Sequence, residues 1–461
     1  MRRTVLFAVG VAVVATAAAF FYAALAREAD YRRLIREGEA ALAADQTFPA
    51  VEAFSGAIVL KPNSMLAYLR RGETYRRRGE YQAALRDLRR AGQLDPAAPQ
   101  PLEESGDVNV ALEKYARAAE SYDAYLRLDD RSPSVFYKLA LVRVRQDDPA
   151  RAIPALRRAL ALNAKFAEAL YVLGMCQGQL GNYGDAVTSL EQAVRLAPAL
   201  LPAREELVRV LLTLQRDTDA IAQLEALAAL EPQRPDHLIE AALVYARLGR
   251  TDLAVAELNR ALERDPQPRV YLALGRIWLE AAEARREPGS LSKAFEALDR
   301  GVRGPGATSE GLTLYGRALL MQGDLTAADE AFSQAVEKSP VDPEAYRSIS
   351  ALAERRGQIV PARDALIRYV ALAPDGAAAQ AAFERIGELS LKAGRQADGV
   401  AWFRRASDAA AGDADTLARI ARLQLQAGDS EGATVSVDRG LQRVPAHVAL
   451  LALRRQLATT R

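Results

Sequence analysis

Three stretches of this chain superimpose on one another without a gap. Residues 68–96 read YLRRGETYRRRGEYQAALRDLRRAGQLDP, residues 170–198 read LYVLGMCQGQLGNYGDAVTSLEQAVRLAP, and residues 312–340 read LTLYGRALLMQGDLTAADEAFSQAVEKSP. In each, an apolar residue (Tyr68, Leu170, Leu312) stands four positions before a glycine (Gly72, Gly174, Gly316). An alanine follows the glycine (Ala84, Ala186, Ala328), then a bulky residue (Leu88, Leu190, Phe332), then a small one (Ala91, Ala193, Ala335). Proline closes each unit at Pro96, Pro198 and Pro340. Two helices cross closely only where side chains are small, and large residues fill the space on either side. Proline ends the second helix. A unit of this size cannot bury its apolar face alone, so the units must stack. Composition agrees, because half the residues are hydrophobic, Ala and Leu dominate, and both favour helix.

The spacing resembles the tetratricopeptide repeat, a 34-residue helix–turn–helix family. Its pattern wants bulky residues at unit positions 4 and 7, a small one at 8 and an aromatic at 11. It also wants Ala at 20, a bulky residue at 24, Ala at 27 and Pro at 32. Units starting at Tyr31, Met65, Pro99, Pro133, Ala167, Leu201 and Pro235 place Ala50, Ala84, Ala118, Ala152, Ala186, Ala220 and Ala254 at position 20. Further units start at Pro268, Ser309, Pro343, Gln380 and Ala414, with Ala294, Ala328, Ala362, Gly399 and Ala433 in the same role. Trp is absent from position 4, and position 11 is aromatic in only a minority of units. The resemblance implies an all-α, right-handed solenoid of about twelve hairpins: repeats 1–7 over 31–267, an irregular repeat 8 over 268–308, repeats 9–12 over 309–447, and a capping helix over 448–461.

Two irregularities stand out. Repeat 8 holds seven extra residues between its helices, within WLEAAEARREPGSLSKAFEAL (278–298), where Pro288-Gly289 breaks the chain and Ser290 or Ser292 is the expected cap of the second helix. Ala377–Ala379 precede repeat 11 and are expected to form a longer link.

Residues 1–30 form a separate segment. Arg2 and Arg3 precede an uncharged run from Thr4 to Ala26, which as a helix is about 35 Å long, enough to cross a hydrocarbon core of roughly 30 Å. This reading makes residues 4–26 a single-pass inner-membrane anchor, with the N-terminus cytoplasmic and the repeats periplasmic. The competing reading is a signal segment cleaved after Ala24-Leu25-Ala26, which releases a soluble periplasmic protein.

Catalysis is not expected. Cys176, the one cysteine, stands at position 10 of its unit, beside no histidine or other base, and His237 and His447 are the only histidines. No metal or cofactor site is expected. Acids and bases number 59 and 61, and no basic tract invites nucleic acid. Paired carboxylates such as Glu103-Glu104 point to different helix faces and form no acid–base dyad.

The resemblance implies that each first helix lines the concave face and that ligands meet positions 2, 5, 9, 12 and 13. Repeats 1–3 then present Glu39, Glu73, Glu103 and Asp107, with Arg76 and Arg77 alongside. Repeats 4 and 5 present Tyr137, Leu141, Val144, Tyr171 and Met175. Repeats 8–10 present Arg269, Arg276, Arg317, Arg347 and Arg355. An acidic end, an apolar middle and a basic end suit an extended peptide or a partner helix held in one direction. The expectation is a protein–protein interaction scaffold of a bacterial envelope assembly, such as a secretion, pilus or exopolysaccharide machine. An accessory subunit of a polysaccharide-processing enzyme is the third reading, although groove aromatics suited to sugar stacking are few.

Overall fold

A computed structural model describes residues 2–285, 288–304, 306–410 and 413–459, with side chains from residue 16 onward except 285 and 288. The described residues are helical throughout and fall into two compact units, Met1–Leu227 and Ala228–Arg461.

The first unit begins with α1 (Arg2–Ala43), one unbroken helix of 42 residues. There follow α2 (Thr47–Leu60), α3 (Met65–Arg77), α4 (Tyr81–Leu94), α5 (Gln100–Ala111), α6 (Tyr115–Leu128), α7 (Pro133–Arg145) and α8 (Pro149–Leu162). After these come α9 (Ala167–Gln179), α10 (Tyr183–Leu196), α11 (Leu201–Thr213) and α12 (Asp217–Leu230), within which the division falls. The second unit holds α13 (Asp236–Arg247), α14 (Thr251–Arg264), α15 (Pro268–Arg285), α16 (Pro288–Val302), α17 (Ser309–Gln322), α18 (Leu325–Lys338) and α19 (Pro343–Arg355). It ends with α20 (Ile359–Leu372), α21 (Ala377–Lys392), α22 (Gln396–Ala409), α23 (Ala414–Gln426), α24 (Ser430–Arg443) and α25 (Val448–Thr459). Odd-numbered helices to α23 are the first helices (A) of the expected repeats and even-numbered ones the second (B). The last, α25, caps the stack by burying Leu450, Leu453 and Leu457 against α23 and α24.

The crossing chemistry is as expected. Ala50, Ala84, Ala118, Ala152, Ala186 and Ala220 in the first unit, and Ala254, Ala294, Ala328, Ala362 and Ala433 in the second, are all completely buried. The bulky residue at position 24 lies on the small residue at position 8. A Cβ added at Gly38, Gly316 or Gly387 would stand 2.5 Å from the rings of Phe54, Phe332 and Phe403 respectively. An aromatic ring at position 24 occurs only opposite glycine, whereas Ala140 and Ala242 face Leu156 and Leu258. The two positions therefore share one volume.

In the eleven hairpins other than that of repeat 8, whose turn includes residues outside the described ones, the turn passes through the left-handed region at position 15. Seven of these residues are glycine, from Gly79 (φ +77°) to Gly428 (φ +79°), but Asp45, Glu113, Asp147 and Gln215 adopt φ of 56–58°. In each turn the next amide donates back to the carbonyl five residues earlier, as Lys114 does to Asn109 and Asn182 to Gln177. This is the six-to-one bond that closes a helix C-terminus.

Among the described residues both irregularities add helix, residues 286–287 of repeat 8 lying outside those described. The extra residues of repeat 8 lengthen α15 to 18 residues, and α16 begins at Pro288. The expected caps Ser290 and Ser292 therefore lie inside α16, with Ser290 buried. Ala377–Ala379 form the first turn of α21 instead of a link, and Ala379 is fully buried. The added residues 281–285 and 377–379 are good helix formers with no breaker among them, and such residues extend a helix at little cost.

Among the described residues no helix is long and apolar enough to cross a membrane. The expected span falls largely on residues 4–15, outside the described side chains, while residues 16–26 are exposed.

Candidate functional site

Within the first unit α1 touches α3, α3 touches α5, and α7 and α11 touch α9; within the second, α13, α15, α17 and α19 touch in the same sequence. Successive B helices make no comparable contact among the described residues, so the A helices line the concave side of each unit.

The charges on this side pair between neighbouring repeats. Arg70 reaches back to Glu39 at 3.4 Å and holds Glu73 at 3.0 Å. Arg76 donates to Glu104 at 2.7 Å. Lys138 clasps Glu103 at 2.9 Å and Asp107 at 2.8 Å, and the other oxygen of Asp107 accepts from the Tyr122 hydroxyl at 2.6 Å. Burial opposes the Lys138 charge, but its bonds to Asp107 and Glu103 outweigh that and raise its pKa. Burial pushes the Glu104 carboxyl up, and Arg76 offsets only part of this. The expected acidic end is thus largely neutralised by cations of adjacent repeats.

The expected basic end fares similarly. Arg276 pairs with Glu310, Arg347 with Glu344 and Arg269 with Asp236, while Arg317 donates to Glu283 at 2.6 Å. Arg355 is exposed, with no acidic partner among the described residues. A cavity of about 650 Å³ between α15, α17 and the start of α19 collects Arg276 and Arg317 with Glu310, Thr313, Asp342 and Glu344. Its lining carries both signs. The second unit continues the pattern with Arg385 on Glu354 and Arg419 on Glu384 at 2.7 Å. A sequence signal for these pairs exists: opposite charges recur 31 or 35 residues apart, as in Glu39/Arg70, Glu103/Lys138, Glu354/Arg385 and Glu384/Arg419.

The apolar middle is assembled. Tyr137, Leu141, Val144, Tyr171 and Met175 all pack, half-buried, on one core cluster of the first unit. Ser132 caps α7, and the Tyr137 ring leans on Phe166 with centroids 4.9 Å apart. The Tyr137 and Tyr171 hydroxyls have no hydrogen-bond partner among the described residues. Burial raises both phenol pKa values, helped by Glu168 at Tyr137 and by Glu206 and Glu205 at Tyr171. Here the cross-repeat ionic ladder is interrupted.

Other reactive candidates are structural. Cys176 is fully buried in the same core, and burial pushes its thiol up to about 11. His237 is buried against Glu231 at 3.0 Å, and His447 lies 3.0 Å from Asp415.

Stacked hairpins joined by proline-marked links, with a concave side of first helices, define a helical repeat protein that presents an extended surface to other molecules. A family profile described as tetratricopeptide repeat matches residues 69–133, 137–200, 177–237, 205–269, 239–308 and 314–377, more than half of the chain. The chain belongs to the tetratricopeptide repeat family. It is 28% identical over 97 residues to the small glutamine-rich tetratricopeptide repeat-containing protein 2 of Mycosarcoma maydis, a match spanning 21% of this chain and 28% of that one. Among solved structures, the C-terminal part of a TPR repeat-containing protein from Cytophaga hutchinsonii is similar at 20% identity and TM-score 0.47, over 52% of this chain and 99% of that one. Yeast Tom70 is similar at 13% identity and TM-score 0.42, over 93% and 99% of the two chains. Proteins of this family generally act as protein-interaction scaffolds.

Proposed function

We propose that this chain is a non-enzymatic scaffold that binds a protein or peptide on the concave side of repeats 4 and 5. The patch of Tyr137, Leu141, Val144, Tyr171 and Met175 carries the reading. Among the described residues it is the stretch of the concave side in the first unit where half-buried apolar side chains replace ion pairs, and two phenols offer unspent donors. Aromatic side chains and methionine are enriched at interface centres, where rigid or adaptable apolar area is buried at modest entropic cost. Arg276, Arg317, Arg347 and Arg355 supply a second, polar contact zone in the other unit.

The same reading makes residues 4–26 a membrane anchor with the repeats outside the cytoplasm, serving an envelope assembly. It is supported by an uncharged run long enough to span, preceded by Arg2 and Arg3.

A photo-crosslinking residue placed at Met175 in the full chain tests the binding surface. It should capture a discrete partner that the same residue at exposed Arg90 on α4 does not, and the double variant Leu141→Glu/Tyr171→Ala should abolish the capture. Equal capture from both positions excludes the patch. Membrane fractionation with mass determination of the N-terminus tests the anchor: a soluble chain beginning at Arg27 replaces it with a diffusing binding protein.

A further inference from the structure

The unbroken α1 joins the expected anchor to the first repeat with no tether between them. From Ala26 the helix rises about 1.5 Å per residue, so Glu28 stands about 3 Å and Tyr31 about 8 Å beyond the end of the apolar run. A headgroup layer adds about 5–8 Å on each side of the hydrocarbon core. The end of α2 returns to this level. Lys61 Nζ bonds Glu28 at 3.1 Å and lies 4.7 Å from the centre of the Tyr31 ring, and the Tyr31 hydroxyl meets Ser64 at 2.7 Å. The link between repeats 1 and 2 is therefore pinned to α1 at headgroup depth.

This edge presents chemistry suited to that layer. Arg27 is exposed with no acidic partner among the described residues. Val59 is 72% exposed and nothing covers it. Phe48, equally exposed at the opposite edge of the hairpin, is instead capped by the Arg78 guanidinium 3.8 Å from its ring centre.

We propose that the link edge of repeat 1, formed by Arg27, Val59 and Lys61, rests on the phospholipid headgroups, with Arg27 on a phosphate, Lys61 bridging Glu28 to a second phosphate, and Val59 against the outer part of the headgroup layer. The proposal depends on the anchor reading above. It makes the anchor a rigid root: the first hairpin stands upright on the bilayer, its turn at Asp45 directed away. Cations close to an anionic surface are drawn to it.

The test uses the full chain with Cys176→Ala, reconstituted in phosphatidylethanolamine–phosphatidylglycerol vesicles. Single cysteines replace Ala17, Val59 or Gln82 and carry a nitrobenzoxadiazole probe, read against nitroxide-labelled lipid. Probes at 17 and 59 should lose most of their emission, while the probe at 82, on the far edge, keeps it. Combining Arg27→Gln with Lys61→Gln should restore emission at 59 and leave 17 quenched. Quenching at 17 without quenching at 59 overturns the proposal and leaves the anchor standing. No quenching at 17 overturns the anchor and the proposal together. Unchanged quenching at 59 in the double variant refutes the phosphate contacts.

Discussion

Gly106→Ala places a methyl group where the Tyr122 ring already lies. The added Cβ would stand 2.7 Å from both Cδ1 and Cζ of that ring, about 1 Å inside ordinary carbon–carbon contact. The ring cannot swing aside, because Tyr122 is only 1% exposed and its hydroxyl is tied to Asp107 at 2.6 Å. Overpacking of this kind costs about 1–3 kcal/mol, and the restraint at both ends argues for the upper value. Alanine returns about 1 kcal/mol through helix propensity. The net loss is about 2 kcal/mol. In a stacked-repeat protein it should show locally, as roughly 30-fold faster amide exchange in α5 and α6 under native conditions. The companion Tyr122→Leu recreates the pairing seen at Ala140/Leu156 and Ala242/Leu258. The double variant should therefore be more stable than the sum of its singles by about 2 kcal/mol, well beyond the additivity of independent sites. Strictly additive exchange rates would refute the shared-volume account of positions 8 and 24.

Glu113→Gly and Gln215→Gly should each stabilise their hairpin by up to about 1 kcal/mol, since both residues hold a left-handed φ at a turn where seven repeats use glycine; slower exchange in the flanking helices is the readout. Cys176, buried and with its thiol pushed up to about 11, should resist alkylation at pH 8 in the folded chain and react promptly in guanidinium; equal rates would show an open site. The hydrogen bond from Arg404, with support from the Gly432 amide it caps, holds the Asp429 carboxyl below its ordinary value. A depressed folded pKa contributes stability that is present above the unfolded value of about 4 and lost as pH falls through the folded one. Protection in α24, taken relative to the intrinsic exchange rate at each pH, should therefore fall on acidification below about pH 4, and Asp429→Asn should be less stable at neutral pH and lack that acid-dependent step.

The register was legible because each repeat states the same packing problem in the same places. Ala or Gly at position 20, and at position 8 a residue sized to what stands at position 24 (Gly or Ala in most repeats, Val208 and Ser350 only opposite leucine), are dictated by the helix crossing, and that requirement is local to one hairpin. The apolar patch was legible for the same reason, since Tyr137, Leu141, Tyr171 and Met175 occupy equivalent positions of adjacent repeats. The caps of α16 and the link before repeat 11 were misjudged because added length beside proline and glycine suggests loops. Whether helix-forming residues continue an existing helix depends on room at its end, as at Ala377–Ala379.

Charge was the least legible property. Glu103 and Asp107 look like an acidic surface in their own repeat, yet Lys138, a full repeat away in sequence, lies between them. A single hairpin specifies its own core, because its two helices are covalent neighbours and their small and large residues must interlock. Which surface charges remain for a partner depends on how one hairpin is rotated against the next, and only the stacked structure decides that.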